Sequence, residues 1–223
     1  MKTGATIAAI LYTGLLLVAG TIPKQNEQND RESSPLEKLL NGNERFASMK
    51  QLHPHESKKR LDEIAAGQHP VAAVVCCSDS RVPPELIFDQ GLGDLFVVRT
   101  AGNLMGGLEI GSIEYAVEHL GVKEVIVMGH KECGAVKAFV AGKEVPGHIQ
   151  DIVDSIKAEH EIQEVPSNDL HLLDDCIKAN ILHGIHQLKN QSVILAEKIK
   201  TGELHVSAAC YDLAKGKVEL VKE

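Results

Sequence analysis

Three apolar runs, residues 71–76, 95–98 and 124–128, constrain this fold more than any other feature of the chain. Each has the length of a strand, and none alternates with polar residues. A strand with one wet face alternates, whereas a continuous apolar run suits a strand covered on both faces. Between the second and third runs, residues 108–120 read as a helix, and Gly121 supplies its stop. Strand, helix, strand with buried strand faces means a parallel α/β sheet.

The flanks complete that outline. Ser34-Pro35-Leu36-Glu37 has the form of a helix start, with Ser as N-cap, Pro at the first position and Glu three residues on. Leu36, Leu39, Leu40 and Phe46 then share a face, which gives a helix to about Met49. A second helix spans 56–66 and stops at Gly67. After Cys133 the pattern is mainly helical over 135–140, 148–161 and 169–190. Residues 204–210 and 217–221, separated by Lys215-Gly216, read as a terminal hairpin. The expected architecture is a mainly parallel central sheet flanked by helices, with a C-terminal antiparallel hairpin edge and an N-terminal helical arm.

Residues 35–223 form one domain in this reading, with no internal repeat. With 3% aromatic residues and no Trp, the core must rest on Val, Ile, Leu and Ala. A net charge of -8, without any basic-aromatic stretch, argues against a nucleic-acid partner. Met1-Lys2 precedes an uncharged stretch, 3–23, with an apolar heart over 7–19 and small residues at Ala19 and Gly20. Residues 1–20 therefore read as a secretory signal, and 21–34 as a flexible spacer. The chain is expected to be exported, to the periplasm or another extracytoplasmic space. An uncleaved segment would instead anchor it to a membrane.

Two short pieces carry the chemistry: Cys77-Ser78-Asp79-Ser80-Arg81 and His130-Lys131-Glu132-Cys133. They follow the first and third apolar runs, and sites of open α/β sheets form beyond the carboxyl ends of strands. Two sulfurs and one imidazole nitrogen suit zinc, and three protein donors leave one position open for chemistry. Successive side chains of extended backbone face opposite sides, so Cys77, Asp79 and Arg81 share one side and Cys76 lies on the other. Cys77, His130 and Cys133 are the expected ligands, and Cys76 a core residue. Five cysteines without a dense framework do not read as disulfides, and Cys176 and Cys210 are expected to be buried small hydrophobes.

At these residues the chain resembles the β-class carbonic anhydrases. Cys77-Ser78-Asp79-Ser80-Arg81-Val82-Pro83-Pro84-Glu85 is similar to the family's first zinc motif, and Gly129-His130-Lys131-Glu132-Cys133-Gly134 to its second. The similarity runs over about residues 36–139 and, more weakly, to the C-terminal strands. It implies reversible hydration of carbon dioxide to bicarbonate and a proton, with zinc-bound hydroxide as nucleophile and one Zn²⁺ per subunit. It also implies that Asp79 and Arg81 form a catalytic dyad, that Gln68 hydrogen-bonds substrate, and that Phe96 and Tyr115 line the carbon dioxide pocket. In the family such residues commonly reach the zinc from a neighbouring subunit, which implies a homodimer or a higher even-numbered homo-oligomer. Arg99-Thr100-Ala101-Gly102-Asn103 departs from the Arg-Asn-Val-Ala-Asn of some members and puts Ala101 where a larger pocket residue can occur. Val74 stands where a bicarbonate-inhibited subgroup has Trp, although Arg99 matches that subgroup's arginine. Two other functions fit the same metal set: hydrolysis of carbon disulfide or carbonyl sulfide, and a zinc protein without catalysis. The latter calls for a closed four-ligand site, and only three soft ligands are found.

Overall fold

The computed structural model describes residues 33–222. The signal-segment expectation, and all but the last two residues of the spacer, lie outside the described residues. Helix α1 (Pro35–Ala47) begins as its sequence dictates: Ser34 Oγ accepts from the Glu37 N–H at 3.3 Å, and Glu37 Oε2 accepts from the Ser34 N–H at 2.9 Å. Helix α2 (Lys58–Ile64) is capped by Ser57 and is shorter than the 56–66 expected.

Strands β1 (Ala72–Cys77), β2 (Leu95–Thr100) and β3 (Glu124–His130) coincide with the three apolar runs. A short helix, α3 (Pro84–Ile87), follows β1, and α4 (Gly107–Leu120) links β2 to β3 and stops at Gly121. The later helices are α5 (Gly134–Ala141), α6 (Ile149–Lys157), α7 (His160–Gln163), α8 (Leu172–Gln191) and α9 (Val193–Thr201). Strands β4 (His205–Asp212) and β5 (Lys217–Leu220) form the antiparallel hairpin. The sheet order is β2-β1-β3-β4-β5, with all pairs but the last parallel.

Each face of this sheet carries its own core. Ala73, Val75, Cys77, Val125 and Val127 pack with Ile113, Ile181 and Ile185 of α4 and α8. Ala72, Val74, Cys76, Ile126 and Met128 pack with Leu39 of α1 and with Val82, Ile87 and Phe88. The period-two alternation of strand side chains makes that division. Cys76 is thus a core residue on the face away from Cys77, and burial pushes its thiol up to about 12. Cys176 is buried, Cys210 is half-buried, and no disulfide joins the five cysteines.

Three expectations are corrected. β2 is an edge strand and is half-exposed, not covered on both faces as β1 and β3 are. The helix expected over 148–161 breaks into α6 and α7, because Glu159 adopts extended backbone (φ -65°, ψ 129°) and turns inward. Helices α3 and α9 were not anticipated, although Ser192 caps α9 by accepting from the Leu195 N–H.

Candidate metal centre

Cys77 ends β1 and His130 ends the adjacent parallel strand β3, so the sheet register alone brings them to one edge. Cys133 stands at the start of α5, reached by a turn in which Glu132 takes φ +61°. The two sulfurs and an imidazole nitrogen lie within 4.8 Å of one another, and all three residues are buried. At Gly129, beside His130, an added Cβ would lie 2.6 Å from Ile181 Cγ1, so only glycine lets α8 pack this close to the ligand strand.

The donor set fits a metal ion by an observation internal to the fold. His130 Nδ1 lies 2.9 Å from the Lys131 carbonyl, which fixes it as the protonated nitrogen and leaves the Nε2 lone pair free. That Nε2 is fully buried and has no hydrogen-bond partner. An orphaned buried acceptor beside two thiols is costly unless something electron-poor binds there. Between the thiols, hydrogen bonding from Cys133 pulls Cys77 well below the usual thiol range against the opposing effect of burial, and the Asp79 N–H and the Gly102 N–H (3.3 Å from the sulfur) add to it. Cys133 moves up, chiefly because it gives that bond. Cys77 is thus the more readily ionised thiol of the pair.

Beside the cluster, Arg81 grips Asp79 through both carboxylate oxygens, Nε to Oδ1 at 2.9 Å and Nη2 to Oδ2 at 2.7 Å. The Arg81 backbone N–H adds a third bond to Oδ1 at 2.9 Å. These donors hold the Asp79 carboxyl far below its ordinary range. Arg99 steadies the same loop from β2, donating to the Cys77 carbonyl at 3.1 Å and to the Asp79 carbonyl at 2.7 Å. That clamp went unread in the sequence. Its only signal was alternation along β2, which sets Arg99 level with Cys76 in the register.

The remaining expected site residues divide. Ala101 opens the short 3₁₀ turn after β2, next to Gly102, and borders a cavity of about 330 Å³ shared with Thr100, Glu159, His183 and Gln187. Gln68, Phe96 and Tyr115 are not brought to the cluster within this chain. Phe96 is level with Ala73, four residues before Cys77, which is roughly 13 Å along the strand. Gln68 precedes β1 and is exposed, and Tyr115 on α4 is 47% exposed with its ring 6.3 Å from Phe96.

A parallel α/β sheet with two thiols and an imidazole converging beyond its strand ends, flanked by an arginine-held carboxylate, defines a zinc enzyme with an open coordination position. The family profile described as "Carbonic anhydrase" matches residues 72–218. A carbonic anhydrase of Mycolicibacterium smegmatis is 39% identical over 186 residues, covering 82% of this chain and 89% of that protein. Carbonic anhydrase 2 of Mycobacterium tuberculosis is 38% identical with the same coverage. Among solved structures, the β-carbonic anhydrase CcaA superposes with a TM-score of 0.68 at 28% identity, covering 84% of this chain and 95% of that one. One of the tetrameric β-carbonic anhydrases of Sordaria macrospora gives 0.68 at 25% identity, covering 86% and 98%. The chain belongs to the β-class carbonic anhydrase family. It is a zinc-dependent carbonate dehydratase, and its reaction is the reversible hydration of carbon dioxide to bicarbonate and a proton.

Proposed function

We propose that Cys77, His130 and Cys133 hold the one zinc ion of each subunit, and that Asp79 and Arg81 are the catalytic pair. The buried, partnerless Nε2 of His130 between two thiols carries the assignment. Zinc in such a site supplies the Lewis acidity that makes water a nucleophile near neutral pH. Two thiolates offset the ion's charge more than imidazoles would, so the protein must help the water react. Asp79 is suited to that work: Arg81 keeps it ionised, and its Oδ2 faces the cluster, free to accept a hydrogen bond from the attacking water and orient it. Arg81 also anchors the carboxylate so that it does not occupy the water's place.

Gln68, Phe96 and Tyr115 are assigned to the substrate pocket of a neighbouring copy, with Ala101 completing the lining from within the chain. The support is geometric. Gln68 precedes β1, Phe96 lies near the start of the half-exposed edge strand β2, and Tyr115 of α4 has its ring 6.3 Å from Phe96, so all three lie toward the end of the sheet away from the cluster. Two aromatic rings and a methyl group suit a small apolar molecule, and the Gln68 amide supplies the polar contact it lacks. A homodimer is therefore the least assembly with a complete site, and the Sordaria macrospora relatives are described as tetrameric.

Export is proposed from the apolar heart over 7–19 and the small residues after it; among the described residues no helix is long and apolar enough to cross a membrane. The amino terminus of protein recovered from fractionated cells tests it. A start after about residue 20 in the extracytoplasmic fraction supports export, and an intact terminus in the membrane fraction means an anchor. The activity itself is tested by stopped-flow carbon dioxide hydration with metal analysis. One zinc per subunit and activity abolished by chelation are expected; fully zinc-loaded protein without activity would overturn the assignment.

A further inference from the structure

The turn after β2 adopts a conformation that needs support. Gly102 has φ +71° and Asn103 φ +50°, so two successive residues lie in the left-handed region. Glycine does so freely; for asparagine the region is tolerated but not preferred. The reward is direction, because this turn aims the Gly102 N–H at the Cys77 sulfur, 3.3 Å away.

A buried chain of side chains holds the turn from behind. Asn103 Nδ2 donates to Asn180 Oδ1 of α8 at 2.6 Å. Asn180 Nδ2 donates onward to Glu159 Oε1 at 2.8 Å. All three residues are at most 3% exposed. Glu159 sits in the break between α6 and α7, so the helix interruption serves to deliver it. Its other oxygen, Oε2, has no partner among the described residues. Burial pushes its carboxyl up to about 8, and the chain thus ends on an uncharged acid near neutrality.

That end sets a polarity. An amide can point either way, and here Glu159 Oε1 accepts, which turns the Asn180 NH₂ toward it. Asn180 then presents its carbonyl to Asn103, and the Asn103 NH₂ must meet that carbonyl. One acceptor at the buried end therefore fixes both amides and, through Asn103, the left-handed turn.

We propose that Glu159 and Asn180 are positioning residues of the metal centre, which act through Asn103 to keep the Gly102 N–H on the Cys77 sulfur and so tune that thiolate as a donor. Hydrogen bonds to a ligating group adjust its donor strength and orientation, and losing them typically costs about 10–100-fold in metal affinity or activity. The inference rests on Cys77 being a zinc ligand, as proposed above.

The test uses the zinc enzyme and its Co²⁺-substituted form, in which a thiolate-to-metal charge-transfer band reports directly on the sulfurs. Wild type, Glu159→Ala, Glu159→Gln and Asn180→Ala are compared for band position, zinc affinity and hydration rate, with circular dichroism as the check on folding. Glu159→Ala and Asn180→Ala should shift the band and weaken zinc binding by about tenfold or more. Glu159→Gln keeps an uncharged acceptor of the same shape and should restore both values; if Glu159→Ala does not fold, Asn180→Ala carries the same expectation. Unshifted bands and unchanged affinity in the alanine variants overturn the relay, as does a glutamine variant that behaves like alanine. A wild-type protein that binds Co²⁺ without the band instead removes the Cys77 ligand assignment, a failure distinct from that of the relay.

Discussion

Asp79 Oδ2 lies 3.9 Å from His130 Nε2, turned toward the metal centre yet beyond hydrogen-bond range. The carboxylate stops there because Arg81 holds both of its oxygens. A ligand-capable group is thus kept next to the ligands without joining them. Asp79→Asn preserves shape but removes the charge that orients the attacking water. It should retain one zinc per subunit and lose about 10²-fold or more in kcat, checked by metal analysis and stopped-flow hydration. Loss of zinc with the substitution would make Asp79 a structural ligand instead.

Glu159 gives a pH signature. Its ordinary carboxyl value is 4.5, and burial pushes it up to about 8 in the fold. Between those values the unfolded chain has released this proton and the native protein still holds it. Stability therefore falls as pH rises through the window, then levels off above about 8, where both states are ionised. Neighbouring Glu161 contributes nothing there: although burial works against it, hydrogen bonds with His186 and His183 hold it down to about 2. Glu159→Gln removes the titration and should flatten this part of the profile, worth a few kcal/mol between pH 5 and 9. Urea denaturation of both proteins across that range checks it; parallel profiles would refute it.

Much of this was legible in the sequence because it depends on short-range rules. The apolar runs mark β1, β2 and β3, and the period of two separates Cys77 from Cys76. Alternation does not reveal what lies beside an edge strand, so the exposure of β2 was missed. Nor does helical periodicity show that Glu159 leaves its helix to meet Asn180, a partner fixed only when α8 packs on β3. Asn103 and Asn180 are 77 residues apart, and nothing local marks either as more than a polar residue. The role proposed for Gln68 needs a second chain, which periodicity and spacing within one chain do not encode.

The packing of α8 against the ligand strand has its own test. Gly129→Ala would place a Cβ 2.6 Å from Ile181 Cγ1 and 2.7 Å from Ile181 Cδ1, well inside contact distance. Overpacking of this kind typically costs about 1–3 kcal/mol. Since Gly129 adjoins His130, the strain should also weaken zinc binding. Thermal unfolding and zinc titration are expected to change together; a lower Tm with zinc affinity intact would show that the strand yields without moving the ligand.

If Gln68 serves the neighbouring copy's zinc, two inactive proteins should rescue each other. Cys77→Ser lacks a ligand but keeps Gln68, whereas Gln68→Ala keeps the ligands and lacks the substrate contact. Each homodimer has two defective sites. A mixed dimer related by the same two-fold symmetry has one site with both residues intact and one with neither. One whole site of two means that the mixed dimer should recover to about one half of wild type, and an unseparated random mixture, half of whose dimers are mixed, to about one quarter. The two proteins would be co-expressed with different tags, the mixed species isolated by tandem purification, and hydration measured against each homodimer. Gln68 acting within its own chain predicts no more than the average of the two homodimers, because no mixed site would then combine Gln68 with an intact Cys77.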